Sequence, residues 1–309
     1  MDFDLRSEQV NLLDAVQPLL SEYSRLPDPG PPEYYVYGDA LDAALEDGGY
    51  YGDADGLSLD RADAALLLEQ ISKIPFVVPA MASLIVAPVV CRSLPPRPIA
   101  LMASLSTTPV RFLRQARTAL IDAGHEILML ELTGIDVIES KTIFAYPYAH
   151  LRSVDRSKAT VLAGVAPADF RNAWRLGLTY ELLGAMRSIL HLTVDYVKQR
   201  QQFKRPIGSF QAVQHRLSEN AVHIESIHLL AARAAWSGEA AEIALAAAHA
   251  QKTAAQIIYD CHQFHGAMGL TLEYVLHHWT YRLKILAGEL GGASAQARAA
   301  AVSLWGAAA

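Results

Sequence analysis

"DYVKQRQQFKRPIGSFQAVQHRLSE" occupies residues 195–219. Its opening residues continue a helical pattern that starts at Pro167, in which Leu176, Leu183, Met186, Leu190, Val194 and Val197 return on one face. "KRPIG" at 204–208 interrupts that pattern, since proline removes an interior helix hydrogen bond and glycine disfavours helix. A second helical pattern starts near Ser209, with Val213, Leu217, Ile224 and Ile227 inward. Further along, "WSGE" at 236–239 reads as a turn and a very alanine-rich helix runs to about Gln263. A fourth helix is expected after Thr271. Four long helices with short connections predict an antiparallel bundle.

Upstream the texture changes. "PPRP" at 95–98 marks a boundary, and "PIALMA", "HEILMLEL", "IDVIES" and "ATVLAG" follow as short runs rich in Ile, Val and Leu. They predict about five or six strands. Residues before Ser93 read as helices. "SEQVNLLDAVQPLLSEY" spaces Val10, Leu13, Val16, Leu19 and Leu20 on one face, with Ser7 as N-cap. Loops rich in Pro, Gly and Asp follow at 27–32 and 48–57. "SLDRADAALLLEQISKI" forms another helix, capped by Ser58 or Asp60, with Leu66, Leu67 and Ile71 as its stripe. The predicted fold is mainly α with a small β domain: an N-terminal helical domain at 1–92, a reduced middle β domain at 93–167 and a C-terminal four-helix bundle at 168–309.

The totals narrow the function. Of 309 residues, 52% are hydrophobic and 19% charged, so a large core is available and disorder is not expected. A net charge of -6 argues against nucleic acid as the main partner. Two distant cysteines, Cys91 and Cys261, fit a reducing cytoplasm, and the acidic amphipathic start is unlike a signal peptide. "IPFVVPAMASLIVAPVVC" at 74–91 carries no charge, but Pro75, Pro79 and Pro88 favour a buried, broken helix over a membrane span.

"QFHGAMGLTLE" at 263–273 sets two glycines between helical segments, and no strand precedes it. By itself it could be a C-cap turn, and "KQRQQFKR" a solvated basic helix end. His262, His265, His277 and His278 lack the companions of a metal site, so no metal is expected.

Read together, the two stretches resemble one family. Residues 195–219 resemble the acyl-CoA dehydrogenase family's "Y…R…QFG.PIG.FQ.VQH.LA" segment, and "QFHGAMGLTLEYVLHHW" at 263–279 resembles its "Q.HGG.G.T.E..LH.Y" segment. The helix–β–helix order agrees over nearly the whole chain. The resemblance implies FAD bound at subunit interfaces and oxidation of acyl-CoA thioesters. It implies that Arg200 and Phe203 reach the ADP part of a neighbouring subunit's flavin, that Gln211 is a further contact, and that Gln263, Gly266 and Gly269 cradle the diphosphate or ribose. The chemistry is compatible. Arginine's fork suits phosphate oxygens, a phenyl ring suits adenine, and glycine lets backbone N–H groups approach an anion.

Three departures stand out. The family's catalytic base is a glutamate in one of two places, and these align with Leu290 in "AGELGGA" and with Trp174, 29 residues before Phe203. Neither is acidic. Glu289 is a neighbouring candidate base, but one helical residue turns a side chain by about 100°, so a local bulge would be needed to aim it. Glu181 reads as an ion-pair or packing-edge residue. The family's "TEP..GSD"-like segment has no counterpart between Leu94 and Pro167, and Ala267 replaces the second glycine of "HGG". These losses imply the shorter subunit of a heteromer, expected as a heterotetramer, whose longer partner supplies the base. A bulky, steroid-like acyl-CoA is the expected substrate, and an electron-transfer flavoprotein the expected acceptor. The alternatives are a homomeric enzyme using Glu289 and a flavin-free structural or binding homologue.

Overall fold

The computed structural model describes residues 3–26, 34–52, 59–143 and 145–306. Ser58, the loop at 27–32 and residues 53–57 lie outside them. The first helix, α1 (Ser7–Glu22), is followed by β1 (Val36–Tyr37), α2 (Asp39–Asp47), α3 (Arg61–Ser72) and β2 (Phe76–Val77). Ser7 is not the cap of α1 but its first helical residue. Arg6 holds the cap position, and its backbone N–H donates to Gln9 Oε1 at 3.0 Å. Leu12, Val16 and Leu20 are buried while Val10 is exposed and Leu13 and Leu19 are half-buried, so the stripe differs from the expected one. The reason is lateral. Arg6 pairs with Asp60 and Asp63 at 2.7 and 2.6 Å, and Gln9 donates to Asp63 at 3.0 Å, which rotates α1 onto α3. Asp60 caps α3 by accepting from Asp63 N at 2.8 Å.

The apolar run from Ile74 breaks as its prolines require. β2 pairs in parallel with β1, and a π-helical turn at Ala82–Val86 leads into α4 (Ala87–Val90). Most of the run is buried against the bundle. No helix among the described residues is long and apolar enough to cross a membrane.

Seven strands follow among the described residues: β3 (Ile99–Met102), β4 (Val110–Arg111), β5 (Thr118–Asp122), β6 (Ile127–Glu131), β7 (Val137–Ser140), β8 (Tyr148–Leu151) and β9 (Ala159–Val161). They form a four-stranded sheet in the order β3-β5-β6-β9 and a three-stranded sheet in the order β4-β8-β7. β3 and β5 are parallel, with Ile99 opposite Thr118, and the other pairs are antiparallel. Strand β5 escaped the sequence reading because both its faces are buried, which removes the alternating pattern. Its period of two serves two cores. Ala119 and Ile121 join Ala100, Met102 and Leu128 inside the β region, while Leu120 joins Ile99, Leu101 and Ile127 in the main core facing the helices. This second core supports the division at 93–167 and 168–309 that we propose.

The bundle consists of α5 (Pro167–Gln199), α6 (Gln211–Ser237), α7 (Ala240–His265), the short α8 (His277–Leu286) and α9 (Gly292–Trp305). Between α5 and α6 lie the hairpin β10 (Gln201–Gln202) and β11 (Arg205–Pro206) and a 3-10 turn at Ile207–Ser209. The single fourth helix expected after Thr271 is instead two, broken where Leu290, Gly291 and Gly292 all have positive φ (53°, 86° and 68°). α5 packs against α3 at Gly184, where an added Cβ would lie 2.5 Å from Glu69 O, so glycine is what permits this approach.

Candidate active site

A cavity of about 530 Å³ opens where the β region meets the bundle. Its walls come from β3, the Ser/Thr-rich turn at 103–109, β4, α5 and the break before α9. Met81, Ile99 and Leu101 supply apolar surface, and Ser104, Ser106 and Thr108 supply hydroxyls. The sequence reading gave this turn no role, and its hydroxyl-rich composition was the available signal.

The polar side of the cavity is built around Arg111, which sequence reasoning also missed. A lone arginine in a β-textured run carries no sequence signal. Its partners sit far along the chain: Nη1 donates to Glu181 Oε2 at 3.2 Å and Nη2 to Glu289 Oε1 at 3.0 Å. Nη2 is also 3.0 Å from Glu289 Oε2. Trp174 Nε1 donates to the same Glu289 Oε1 at 2.7 Å. The guanidinium lies over the Tyr146 ring at 4.5 Å.

Glu289 lines the cavity because the helix is broken there. The 100° argument assumed a continuous helix. Instead, the left-handed conformation at Leu290 reverses the chain, and Gln251 Nε2 donates to Leu286 O and Glu289 O, both at 2.8 Å, which pins the break to α7. Leu290 packs half-buried against the main core.

Burial disfavours the Arg111 cation, but Glu181 and Glu289 outweigh it and hold its pKa above the ordinary value. Glu181 does not benefit equally. Burial raises its pKa, Arg111 counteracts, and Glu289, which shares the guanidinium, raises it further. Arg282 faces Glu181 from the other side. Burial pushes it down to about 10, and its guanidinium donates to Ile74 O at 2.9 Å and to Pro75 O.

The predicted cofactor residues lie elsewhere. Arg200 ends α5, is exposed and has no ion-pair partner among the described residues. Phe203 is 82% exposed, with φ 52° at the hairpin tip, and its ring is 6.0 Å from that of Phe210, which precedes Gln211. Tyr196 in the last turn of α5 stacks on His265 in the last turn of α7, with ring centroids 4.4 Å apart. That contact brings the hairpin and the glycine turn Gly266–Leu270 to one end of the bundle, together with exposed Gln263. Gly266 has φ 58° and open space where a Cβ would stand, whereas a Cβ on Gly269 would lie 2.8 Å from that of His265. None of Arg200, Phe203, Gln211, Gln263, Gly266 and Gly269 lines the cavity.

Of the histidines beside this turn, His265, His277 and His278 are buried and His262 is half-buried. His265 Nδ1 bonds Cys261 O at 2.7 Å, and His262 Nε2 bonds Thr280 Oγ1 at 3.1 Å. Burial lowers the pKa of His262 and of His265, and with His277 and Arg282 pushes His278 down to about 3. No cluster of three or more His, Cys, Asp or Glu able to hold a metal occurs among the described residues.

Residues 169–302 match the family model described as acyl-CoA dehydrogenase, C-terminal domain. Over those residues the chain is similar to the acyl-CoA dehydrogenase family. The acyl-CoA dehydrogenase FadE27 of Mycobacterium tuberculosis is 26% identical over 190 residues, a match that covers 57% of this chain and 49% of FadE27. The chain thus spans about half the length of that relative. Its fold is that of solved acyl-CoA dehydrogenase structures. The ChsE4–ChsE5 complex from M. tuberculosis matches with a TM-score of 0.82 and 19% identity over 100% of both chains. A variant of the Tcur3481–Tcur3483 steroid ACAD matches with a TM-score of 0.79 and 21% identity, covering 96% of this chain and 97% of that one. Within the acyl-CoA dehydrogenase family frame, both places where a base glutamate is expected are filled by Trp174 and Leu290. Trp174 donates a hydrogen bond to Glu289.

Proposed function

We propose that this chain is the shorter, base-lacking subunit of a heteromeric FAD-dependent acyl-CoA dehydrogenase that forms the α,β double bond of a bulky, steroid-like acyl-CoA thioester. One observation carries the reading: the cavity and the cofactor motifs are far apart on the same chain. Glu181 is on α5 and Arg200 is its C-cap, and at 1.5 Å per residue the helix separates them by roughly 28 Å. That separation supports a flavin whose ADP part touches Arg200 and Phe203 while its ring lies in another chain's cavity, a shared site.

The residues fit such a cofactor. An exposed guanidinium, an exposed phenyl face held by a left-handed backbone, and a glycine open to solvent at φ 58° are what a diphosphate and an adenine need. Arg200, Phe203, Gln211, Gln263, Gly266 and Gly269 would hold the ADP part. When bound, FAD accepts the hydride from the β-carbon of the thioester. This chain's side chains bind and orient, and the partner's carboxylate takes the α-proton. The Tcur3481–Tcur3483 and ChsE4–ChsE5 assemblies support a two-chain arrangement, and the former supports a steroid-like substrate. An electron-transfer flavoprotein would be the electron acceptor under this reading.

The homomeric alternative rests on Glu289, which does reach the cavity, but its carboxylate is taken up by Arg111 and Trp174. To test the proposal, the chain is purified alone and together with the product of the neighbouring gene, and flavin absorbance and its bleaching by acyl-CoA are recorded. Flavin and turnover are expected from the pair. A lone chain that binds flavin and turns over rules the proposal out.

A further inference from the structure

The glycine turn Gly266–Leu270 is closed on one ring. His265, the last residue of α7, stands at its start, and Tyr274 stands beyond its end. Both lie against Tyr196 in the last turn of α5. The His265 ring stacks on it with centroids 4.4 Å and planes 28° apart, and Tyr274 meets it edge-on at 5.8 Å. The His265 and Tyr274 rings are themselves 4.8 Å apart. We propose that Tyr196 is the positioning residue of the ADP site, holding both ends of the glycine turn in register with the hairpin that carries Arg200 and Phe203. The inference deepens the shared-flavin reading above and rests on it.

This end of the bundle needs such a tie. α5 and α7 both finish here, so two helices present their last carbonyls, the negative ends of their dipoles, side by side. Left alone, those ends would repel each other and splay. Stacked and edge-on rings attract beyond the area they bury, and so oppose this. The attraction is between neutral rings. His265 Nδ1 bonds Cys261 O at 2.7 Å, and a carbonyl only accepts, so Nδ1 carries the proton, while burial lowers the pKa of the imidazole. Tyr274 is fixed in turn by His277 Nδ1, which donates to its carbonyl at 2.7 Å. The Tyr196 hydroxyl lies 3.4 Å from His265 O, a long contact, so the ring and not the hydroxyl supplies the tie. The path from Tyr196 to the cofactor residues is short. Arg200 N donates to Tyr196 O and Ile207 N to Arg200 O, both at 2.8 Å, which roots the hairpin in the same turn of helix. On the other side Gly266 follows His265 directly, and an added Cβ on Gly269 would stand 2.8 Å from that of His265. Arg200, Phe203 and Gly266 are thus placed relative to one another through Tyr196, which is half-buried and acts through them.

Such positioning matters to one half of the cofactor only. FAD carries the ADP group, and FMN is the flavin without it. The chain is co-purified with the product of the neighbouring gene, and bound flavin is removed. FAD and FMN are then titrated against the complex by flavin fluorescence, with thermal midpoints recorded alongside, for the wild type, Tyr196→Phe, Tyr196→Leu and His265→Leu. The wild type is expected to bind FAD more tightly than FMN, and Tyr196→Phe, which keeps the ring, to preserve that ratio. Each leucine variant should bind FAD about three- to tenfold more weakly and FMN as the wild type does. A merely structural stack gives a different result: FAD and FMN weaken together as the midpoint falls, and this overturns the proposal. A leucine variant with the wild-type ratio overturns it too, as does a Tyr196→Phe complex that loses the ratio. If Tyr196→Leu does not fold, His265→Leu decides, and if neither folds the stack is structural and the proposal fails. A wild-type complex that binds no flavin overturns the subunit reading together with the proposal. One that binds flavin with a ratio indifferent to the leucine variants overturns the proposal alone.

Discussion

Trp174 and Glu289 are 115 residues apart in sequence, and the indole N–H of one donates to the carboxylate of the other at 2.7 Å. A residue on the long helix thereby fixes the side chain that stands at the break before α9. The pair, with Arg111, forms the polar side of the cavity.

Trp174→Phe keeps the aromatic volume beside Phe170, whose ring meets Trp174 edge-on with centroids 5.7 Å apart. It removes one of two donors to a partly buried carboxylate. We expect a loss of about 1–3 kcal/mol in denaturant unfolding. A variant as stable as the wild type would show that the bond adds nothing.

Glu181→Gln tests the pH dependence of the network. Burial raises the Glu181 pKa above its ordinary 4.5. The native state therefore holds this proton more tightly than the unfolded chain, and stability falls as pH climbs from that value through the raised one. In Glu181→Gln this component of the slope vanishes. Parallel pH–stability curves for wild type and variant would contradict the assignment.

The histidine end of the bundle behaves oppositely. His278 is pushed from 6.5 to about 3, chiefly by burial, so the unfolded chain takes up its proton as pH falls below 6.5 while the native state refuses it. Stability should drop by roughly 1.4 kcal/mol per pH unit over that window from this group. His278→Asn should flatten the acid limb of the melting curve, and an unchanged limb would place the lability elsewhere.

Gly184→Ala probes the crossing of α3 and α5. The new methyl would lie 2.5 Å from Glu69 O and 2.7 Å from Ser72 Cβ, one of them backbone, so the helices must move apart. The cost expected is on the order of 1–3 kcal/mol, read as a lower urea midpoint with an unchanged slope. Full stability would mean that the crossing is looser than described.

Arg200→Ala and Phe203→Ala alter exposed side chains. Their folding stability should stay within about 0.5 kcal/mol of wild type. Flavin retained by the co-purified complex should fall several-fold. Retention at wild-type stoichiometry would remove both residues from the cofactor contact.

Much of the architecture was legible in the residues. The extent of α5, from Pro167 to Gln199, follows from its period and from the "KRPIG" break, and the turn at Gly238 follows from "WSGE". Strands with both faces buried, such as β5, were not legible, because burial on two sides erases alternation. The rotation of α1 was missed as well. Two apolar stripes were available, and the choice fell to Arg6 and Gln9 reaching α3.

The sequence by itself determined what lies within one window of chain: helix periods, proline and glycine breaks, and the two motifs of the acyl-CoA dehydrogenase family. The resemblance also placed Trp174 and Leu290 where that family is expected to carry an acid. Only the tertiary structure decided that Arg111 binds Glu181, 70 residues away, and Glu289, 178 residues away. The same holds for the separation of the cavity from Arg200 and Phe203. Local pattern is set by backbone geometry over a few residues, whereas a buried charge finds its partners only when distant segments pack, since burial makes an unpaired charge costly wherever the partner lies in the chain.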